Sequence, residues 1–549
     1  MSYIIYRTMM NINGSRIVDE NGRVLMLRGC NLGGSSKLPL TGKPFSSAGA
    51  VFAGRPFPLE EAEQRFVELA RWGFNFVRLI ITWEALEHEG PGIYDESYLA
   101  YLRKLLIEAE KQGVSVFIDP HQDVWSRFTG GDGAPSWTLE KLGMDPAALA
   151  AAGAALPVSS GRGPEKALPM IWPTGYNRYA AASMFTLFFG GNVFAPETRI
   201  DGESAQDWLQ SRYIEAVAHC RRRLKNCKAL TGWGTMNEPH QGFIGCRDLK
   251  GLGHFLVASG PMPSPLAAMA AASGHTVEIP VYSTGILGVR KTGRTFLNPG
   301  GVSVFKDGYS CPWKQAGVWT DEGGRAGTDG KTRGGIGFHK WKPELLKPDH
   351  FALYRGRPVR FAEDLLKPFM DRLIQRLSEK DEKTLFFIEG VPEGINAGEA
   401  PFVPRESETE PENNPLKDNP GAAPPTRLIH AFHCYDGPTL YTKQFRPWFS
   451  FDAEKRRIVI GEKNVAALFR KQLARLSGRA RKPGGQNSGA PIPCILGEFG
   501  LPFDLFSGRA FKTGDYSVHE KALSMYYDAI DANLLGSTIW NYTADNTNA

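Results

Sequence analysis

The sequence predicts an α/β fold, a closed (β/α)8 TIM barrel with long insertions after strands three and four. Two observations predict it. Eight short runs rich in branched and aromatic residues alternate along the chain with longer segments of helical periodicity. These runs are almost continuously apolar, as expected of parallel strands that are covered on both faces. Eight such units are the number that closes a barrel inside a ring of helices.

The elements follow one another in a regular order. The predicted strands occupy 24–32, 74–83, 114–123, 229–239, 384–390, 428–436, 492–500 and 534–542. The clearest helices occupy 59–73, 97–113 and 362–383, and the first two end at Gly73 and Gly113, where a glycine can close a helix. The connections 124–228 and 240–383 form the long insertions. The polar, proline-rich segment 407–426 and the basic segment 477–491 are predicted to be mobile loops.

The length is compatible with one barrel domain over residues 1–549, because a barrel with long insertions can contain a chain of this size. The chain is 42% hydrophobic and 22% charged, an ordinary globular balance, and its net charge of +6 is too small to indicate a nucleic-acid surface. The N-terminus lacks a secretory pattern, and no run of about 18 apolar residues occurs. Seven cysteines without a C-x-x-C pair favour a reducing compartment. We therefore expect an intracellular protein, cytoplasmic or vacuolar, with at most peripheral membrane contact.

Polar residues fall at the carboxyl ends of the predicted strands, where the active site of such a barrel lies. Glu238 follows the fourth strand and Glu498 ends the seventh. Two carboxylates facing each other across a barrel mouth suit glycoside hydrolysis, in which one protonates the departing oxygen and the other attacks the sugar carbon. Arg78 and Tyr435 would favour an ionised Glu498, whose charge would help Glu238 to keep its proton.

Other strand-end residues are predicted to bind the substrate. The full predicted binding set is Arg78, His121, Asp123, Asn237, His433, Tyr435 and Trp540. Asn237 has the chemistry to bond the sugar 2-hydroxyl, and Trp540 could give the ring an apolar platform. Alternatives stay open at this point: Arg78 could tie two strands together, and the histidines could be satisfied core residues. Glu389 could contact the substrate or support His433.

The motifs that carry these residues resemble glycoside hydrolase family 5, a retaining family with a (β/α)8 barrel. Arg78 stands in "FVRL", His121 in "DPHQD", Asn237 and Glu238 in "MNEP", His433 and Tyr435 in "HCYD", Glu498 in "GEFG" and Trp540 in "IWNY". The resemblance implies that Glu238 is the acid/base and that Glu498 is the nucleophile. It implies no metal and no organic cofactor.

Longer stretches resemble one branch of that family, the endoglycoceramidase-related fungal glucosylceramidases and steryl β-glucosidases. These stretches are "GCNLGGSSKLP", "DPHQDVWSR" and "MFTLFFGG". The resemblance implies a retaining β-glucosidase that hydrolyses glucosylated lipids to glucose and free lipid. Members of the branch carry a β-sandwich after the barrel, and only seven residues follow Tyr542 here. We therefore expect this chain to end just after strand eight of the barrel and to lack the β-sandwich domain.

Several alternatives remain open from the sequence. The apolar segments 147–158, 184–191 and 261–274 are predicted to be packed helices over the barrel, or else to line a groove for a lipid aglycone. Another family 5 specificity is possible: endoglycoceramidase, β-glucanase or mannanase. A metal-dependent hydrolase would need clustered ligands at strand one, which offers only "RGCNL". A non-catalytic glycolipid-binding protein is a further alternative, and the sequence does not choose between ceramide and sterol.

Overall fold

Eight parallel strands close into one barrel, which confirms the predicted fold. The computed structural model describes residues 10–157, 172–254, 259–285, 288–322, 343–379, 384–391, 427–452, 454–455, 457–481 and 492–544. The barrel strands are β1 (Arg28–Leu32), β2 (Phe76–Thr82), β3 (Ser115–His121), β4 (Leu230–Gly234), β5 (Leu385–Ile388), β6 (Leu428–His433), β7 (Cys494–Phe499) and β8 (Gly536–Tyr542). Each pairs in parallel with the next, and β8 pairs with β1.

Helices alternate with these strands as the sequence predicts. Eight helices of the described chain are α1 (Ala62–Arg71), α2 (Glu96–Lys111), α3 (Tyr179–Phe194), α4 (Ala205–Arg223), α5 (Pro265–Ala272), α6 (Lys367–Ser378), α7 (Glu462–Arg481) and α8 (Ser517–Ala532). Further helices are Trp83–Glu87, Trp137–Glu140, Pro312–Gln315, Gly437–Thr442 and the kinked Leu505–Thr513. Helix α1 follows a 3-10 turn at Leu59–Glu61, and α6 follows a π turn at Ala362–Leu366. The three predicted helices are therefore present with shifted ends.

The two long insertions carry structure of their own. The first contains α3 and α4, and the second contains α5 and an antiparallel sheet of Gly260–Pro261, Val277–Gly285 and Gly288–Leu297. The remaining strands form small antiparallel pairs: Asn11–Asn13 with Arg16–Val18, Thr41–Lys43 with Ser46–Val51, Arg199–Ile200 with Glu203–Ser204, Trp319–Thr320 with Glu344–Leu345, Leu353–Tyr354 with Arg357–Pro358, and Phe449–Asp452 with Arg457–Ile460.

The apolar segments of the insertions are mostly packed helices. Residues 184–191 lie in α3 and are buried, and so are the residues of α5 apart from Ala267, which is half-buried. This agrees with the packed-helix interpretation of 184–191 and 261–274. Residues 147–157 form turns, so a helix there is wrong, and residue 158 lies outside the described chain. None of the described helices has the length and apolar character needed to cross a bilayer.

The two predicted mobile loops fall largely outside the described residues. This holds for all of 407–426 and for 482–491. Helix α7, however, continues to Arg481, so the predicted start of the second loop at 477 is wrong. The helical periodicity of the preceding residues extends into this basic segment.

Side-chain alternation inside the barrel builds the floor of the site. On β2, Phe76 and Arg78 are two residues apart and therefore point to the same face. On β3, Phe117 and Asp119 have the same relation. The Phe76 and Phe117 rings stack at 5.3 Å, and Phe117 stacks on Phe387 of β5 at 4.0 Å. An aromatic layer thus fills the barrel, and a polar layer lies above it towards the carboxyl ends of the strands.

Candidate active site

Arg78 contacts five side chains of this polar layer, among them Asn31, to whose Oδ1 its Nη1 donates at 2.9 Å. Its side chain is fully buried. Its Nη1 donates to Glu498 Oε1 at 2.5 Å, and its Nη2 donates to Asn237 Oδ1 and Glu389 Oε1, each at 2.7 Å. The same Nη2 lies 2.9 Å from Asp119 Oδ2. A buried guanidinium needs such partners because an unpaired charge is costly away from water. Arg78 therefore ties several strands together and also holds Glu498.

Glu238 follows β4 in a backbone conformation that its neighbours hold in place. Its φ of 37° lies in the left-handed region, which costs a residue other than glycine roughly 1–3 kcal/mol. The Glu238 N–H donates to Glu389 Oε2 at 3.0 Å. Gln122 Nε2 donates to the carbonyl oxygens of Asn237 and Glu238 at 2.9 and 3.0 Å. These bonds set the direction in which the Glu238 side chain leaves the backbone.

Glu238 and Glu498 face each other at the mouth of the barrel. One carboxylate oxygen of each lies within 4.8 Å of the other. Retaining glycosidases have carboxyl groups about 5 Å apart, whereas inverting enzymes separate them by roughly 6.5–9.5 Å to admit a water molecule. The gap is therefore short enough for one carboxylate to attack a sugar carbon directly while the other protonates the departing oxygen.

The surroundings move the pKa values of the two carboxyl groups in opposite directions. Burial would raise the pKa of Glu498, but the positive charges of His433 and Arg78 outweigh it and lower the pKa below its usual value. Tyr435 also donates its hydroxyl to Glu498 Oε2 at 2.8 Å. Burial raises the pKa of Glu238, with a further contribution from the charge of Glu498 and against the opposing effect of His433. Glu498 is therefore disposed to be ionised and Glu238 to hold a proton.

His433 links the acidic side chains from the end of β6. Its Nδ1 lies 2.8 Å from Glu238 Oε1 and 3.7 Å from Glu498 Oε2. Its Nε2 lies 3.4 Å from Glu389 Oε2, an ion-pair distance without hydrogen-bond geometry. Burial would lower the pKa of His433, but Glu498 and Glu389 raise it well above its usual value. His433 is thus a buried cation among three acidic groups.

The charges of this inner group balance when Glu238 is neutral. Arg78, His433 and His121 supply three positive charges, and Glu389, Glu498 and Asp119 supply three negative charges. Burial opposes ionisation of Glu389, but Arg78 and His433 hold its pKa at about 2. Buried charges are stable only when they are paired. A proton on Glu238 therefore agrees with the charge balance and with its raised pKa.

A second group of polar side chains lies around Trp540. His121 stacks on the Trp540 ring at 5.6 Å, and its Nδ1 lies 2.7 Å from Asp119 Oδ2. Burial and Lys37 would lower the pKa of His121, but its bonds to Asp119 and Asp123 raise it to about 9. Asn237 Nδ2 lies 3.4 Å from His121 Nε2. The structure therefore brings all the predicted site residues to one end of the barrel.

Lys37 is a site residue that the sequence analysis missed. It follows β1, forms an ion pair with Asp123, and lies 3.5 Å from Asp132 Oδ2. Its Nζ also lies 4.5 Å from the centre of the Trp540 ring. Asp123 is thus paired with Lys37, which comes from a different strand end. Trp125, two residues after Asp123, is buried against Phe185 and belongs to the core.

Two groups of described residues could geometrically hold a metal ion. One is Glu238, His433 and Glu498, and the other is His121, Asp123 and Asp132. Each group already contacts a side-chain cation of the protein. Arg78 lies against Glu498, and Lys37 lies between Asp123 and Asp132. A divalent ion would have to compete with these cations, so both groups fit a metal-free site better.

Comparison with known proteins identifies relatives over nearly the whole chain. The sequence profile "Cellulase (glycosyl hydrolase family 5)" matches residues 38–145. A glucosylceramidase of Rhizopus delemar is 33% identical over 97% of this chain and 75% of its own length. An ergosteryl-beta-glucosidase of Saccharomyces cerevisiae is 30% identical over 96% of this chain and 72% of its own length.

A solved structure has the same fold. Sterylglucosidase 1 of Cryptococcus neoformans superposes with a TM-score of 0.84 at 29% sequence identity, over 99% of this chain and 77% of that protein. Both the barrel and its insertions therefore have a counterpart of known structure. Since relatives at 30% identity or more cover almost all of the sequence, the chain belongs to glycoside hydrolase family 5 and is a glycoside hydrolase.

Proposed function

We propose that this protein is a retaining β-glucosidase that hydrolyses glucosylated lipids to glucose and the free lipid. The observation that supports the mechanism best is the pair Glu238 and Glu498, within 4.8 Å of each other and with pKa values moved in opposite directions. The lipid part of the proposal rests on similarity to the glucosylceramidases and the ergosteryl-beta-glucosidase.

The proposed reaction takes two steps. Ionised Glu498 attacks the anomeric carbon while Glu238 gives its proton to the glycosidic oxygen, so the bond to the lipid alcohol breaks and a glucosyl ester of Glu498 forms. Glu238, now ionised, takes a proton from water, which attacks the same carbon and releases glucose and Glu498. Two inversions leave the anomeric configuration unchanged. Arg78 and Tyr435 stabilise the Glu498 carboxylate before attack and after release.

The residues around Trp540 are proposed to hold the glucose ring. Asn237 would bond the 2-hydroxyl, while His121, Asp123 and Lys37 offer charged groups to other hydroxyls. A half-buried indole beside several polar groups is the usual composition of a sugar site, since it offers both an apolar face and hydrogen bonds. His433 contacts both catalytic carboxylates and is proposed to stabilise their charge during the reaction.

The substrate test compares glucosylceramide with an ergosteryl β-glucoside in the same assay. We expect release of free glucose and intact lipid from at least one of them, at a rate far above that on cellobiose. The variant Glu498→Gln should release none. Equal rates on cellobiose and on the glycolipids would contradict the lipid specificity, and release of an oligosaccharide from a longer glycolipid would indicate an endo-acting enzyme instead.

We further propose that the protein meets its substrate at a membrane surface through the hairpin after β1. Leu38, Leu40, Phe45 and Val51 expose between 36% and 48% of their surface. Lys43, at the turn of the hairpin, is also exposed. Leu38 directly follows Lys37, which pairs with Asp123 in the site. Apolar side chains with a nearby cation suit shallow insertion into an anionic bilayer.

Vesicle sedimentation tests this contact. We expect the protein to sediment with vesicles of phosphatidylcholine and phosphatidylserine, and the double variant Leu40→Ser/Phe45→Ser to stay in solution. Ile107→Ser is the matched control, because Ile107 is 41% exposed on the outer side of α2. Equal sedimentation of the double variant and the control would exclude this hairpin as the contact. The rate on a soluble aryl glucoside should be the same for all three proteins.

A further inference from the structure

Glu389 is a buried carboxylate that the reaction as proposed does not use. It follows β5 and is only 2% exposed. Its Oε1 accepts from Arg78 Nη2 at 2.7 Å, and its Oε2 accepts from the backbone N–H of Glu238 at 3.0 Å. Oε2 is also 3.4 Å from His433 Nε2. Each of these polar contacts is therefore with Glu238 itself or with a residue that touches Glu238 or Glu498.

The two oxygens of Glu389 connect the halves of the site. Through Arg78, whose Nη1 lies 2.5 Å from Glu498 Oε1, it reaches the proposed nucleophile. Through the Glu238 N–H, it holds the left-handed backbone of the proposed acid at a φ of 37°. Through His433, whose Nδ1 lies 2.8 Å from Glu238 Oε1, it reaches the acid a second time. One rigid carboxylate thus fixes the relative position of the two reacting groups.

We infer that Glu389 is a positioning residue that sets both the separation and the protonation of Glu238 and Glu498, without touching the substrate. The inference rests on the proposed function of that pair. Its charge is needed because Arg78 and His433 carry two positive charges, which Glu498 alone would not balance. Asp119, the other carboxylate at Arg78, is itself paired with His121. The low pKa of Glu389, about 2, agrees with a carboxylate that stays ionised throughout the reaction. A proton-transferring group would need a pKa much closer to the working pH.

Glu389→Gln tests the charge and keeps the shape. The amide has one acceptor oxygen for the two donors of Glu389, Arg78 Nη2 and the Glu238 N–H, and no charge for His433. We therefore expect kcat to fall about 10- to 100-fold with little change in KM, as misplacement of reacting groups does. The charge of Glu389 raises the pKa of Glu498, so its loss should move the acidic limb of the kcat/KM profile to lower pH. His433 stays protonated in that range because Glu498 still raises its pKa.

Azide separates positioning from direct catalysis. Glu389→Ala should form no more glucosyl azide than wild type does, whereas replacement of a nucleophile or an acid/base by a small residue yields such adducts. Glu84→Gln is the matched control, since Glu84 is a buried glutamate paired with Arg127 at 2.9 Å, outside the site. It should lower the unfolding temperature but keep the wild-type pH profile.

The outcomes distinguish this inference from the proposed function. A folded Glu389→Gln with the wild-type acidic limb, or azide rescue of Glu389→Ala, would overturn the positioning role while wild-type hydrolysis still stood. If Glu389→Gln does not fold, Glu389→Asp replaces it: the charge remains but cannot reach both Arg78 and the Glu238 N–H. We then expect lower kcat with an unmoved acidic limb, and unchanged kcat would refute the inference. Absence of glucose release by wild type would instead refute the proposed function.

Discussion

Tyr435 donates its hydroxyl to Glu498 Oε2 at 2.8 Å, on the oxygen that Arg78 leaves open. The two oxygens of Glu498 are therefore each bonded by a different donor. Hydrogen bonds to the ionised form of a carboxyl group favour that form. Tyr435 thus supports the charge required of a nucleophile, and it does so from a different strand end than Arg78.

Tyr435→Phe should move the acidic limb of kcat/KM to higher pH. Wild type should give a bell-shaped profile, because activity needs ionised Glu498, whose pKa is lowered, and protonated Glu238, whose pKa is raised. Loss of the Tyr435 donor removes a hydrogen bond to the ionised form of Glu498. The pKa of Glu498 therefore rises, and the acidic limb of the profile moves to higher pH. Rates on an aryl β-glucoside between about pH 4 and about pH 8 measure this. An unmoved limb would exclude Tyr435 as a partner of the nucleophile.

Glu498→Ala should lose activity by at least roughly 1,000-fold and regain it with azide. Azide can occupy the space of the lost carboxylate and attack from that side, which gives α-glucosyl azide. Glu238→Ala should instead give β-glucosyl azide, because azide then attacks the glucosyl ester of Glu498 from the opposite side. Nuclear magnetic resonance of the products distinguishes the two anomers. Exchange of the two outcomes would reverse the assigned roles.

Removal of divalent cations should leave the rate unchanged. The two groups with metal-ligand geometry already contact protein cations, Arg78 at Glu498 and Lys37 at Asp123. Dialysis against a chelator, followed by assay with and without added Mg²⁺, Mn²⁺ or Zn²⁺, measures the effect. A loss of activity that one of these ions restores would show that a metal takes part in the reaction.

The fold could be predicted because most of the strand runs are nearly apolar on both faces. In the run 74–83, Asn75 and Thr82 stand near its ends and Arg78 lies in the site, so the other residues indicate a parallel sheet that is covered by helices. The catalytic pair could be predicted because the carboxyl ends of all eight strands meet at one rim. Glu238 and Glu498 therefore had to lie at the same rim, although β4 and β7 are not adjacent in the barrel.

Other site residues depend on features that strand order does not fix. Lys37 ends a short 3-10 helix and Asp132 lies in a loop, and their meeting at Asp123 depends on the path of the chain after β1 and β3. Asp119 could have been found, since it lies two residues before His121 and therefore points to the same face of β3. The helix expected within 147–158 is absent from the described part of that segment. The helical propensity of its alanines is a weak signal, and the packing of the chain outweighs it.

Asp132→Asn should flatten the dependence of thermal stability on pH. Burial raises the pKa of Asp132 to about 7, with the charge of Asp123 adding to the effect and Lys37 opposing it. In the unfolded chain the group titrates near its ordinary value of 3.8. Between these values the folded protein holds a proton that the unfolded chain has lost, so this contribution to stability is complete below about pH 4 and is lost as the pH rises through about 7.

Asparagine carries no charge at any of these pH values and therefore cannot lose that contribution. When the pH is raised from about 5 to about 8, the unfolding temperature should fall less for Asp132→Asn than for wild type. Asp201→Asn is the control, because the Asp201 side chain is 55% exposed and its partner Lys141 lies on the surface. Its unfolding temperature should follow the wild-type trend. If Asp132→Asn and wild type gave parallel curves, Asp132 would be ionised in the folded protein across this range, and Lys37 would then balance two negative charges instead of one.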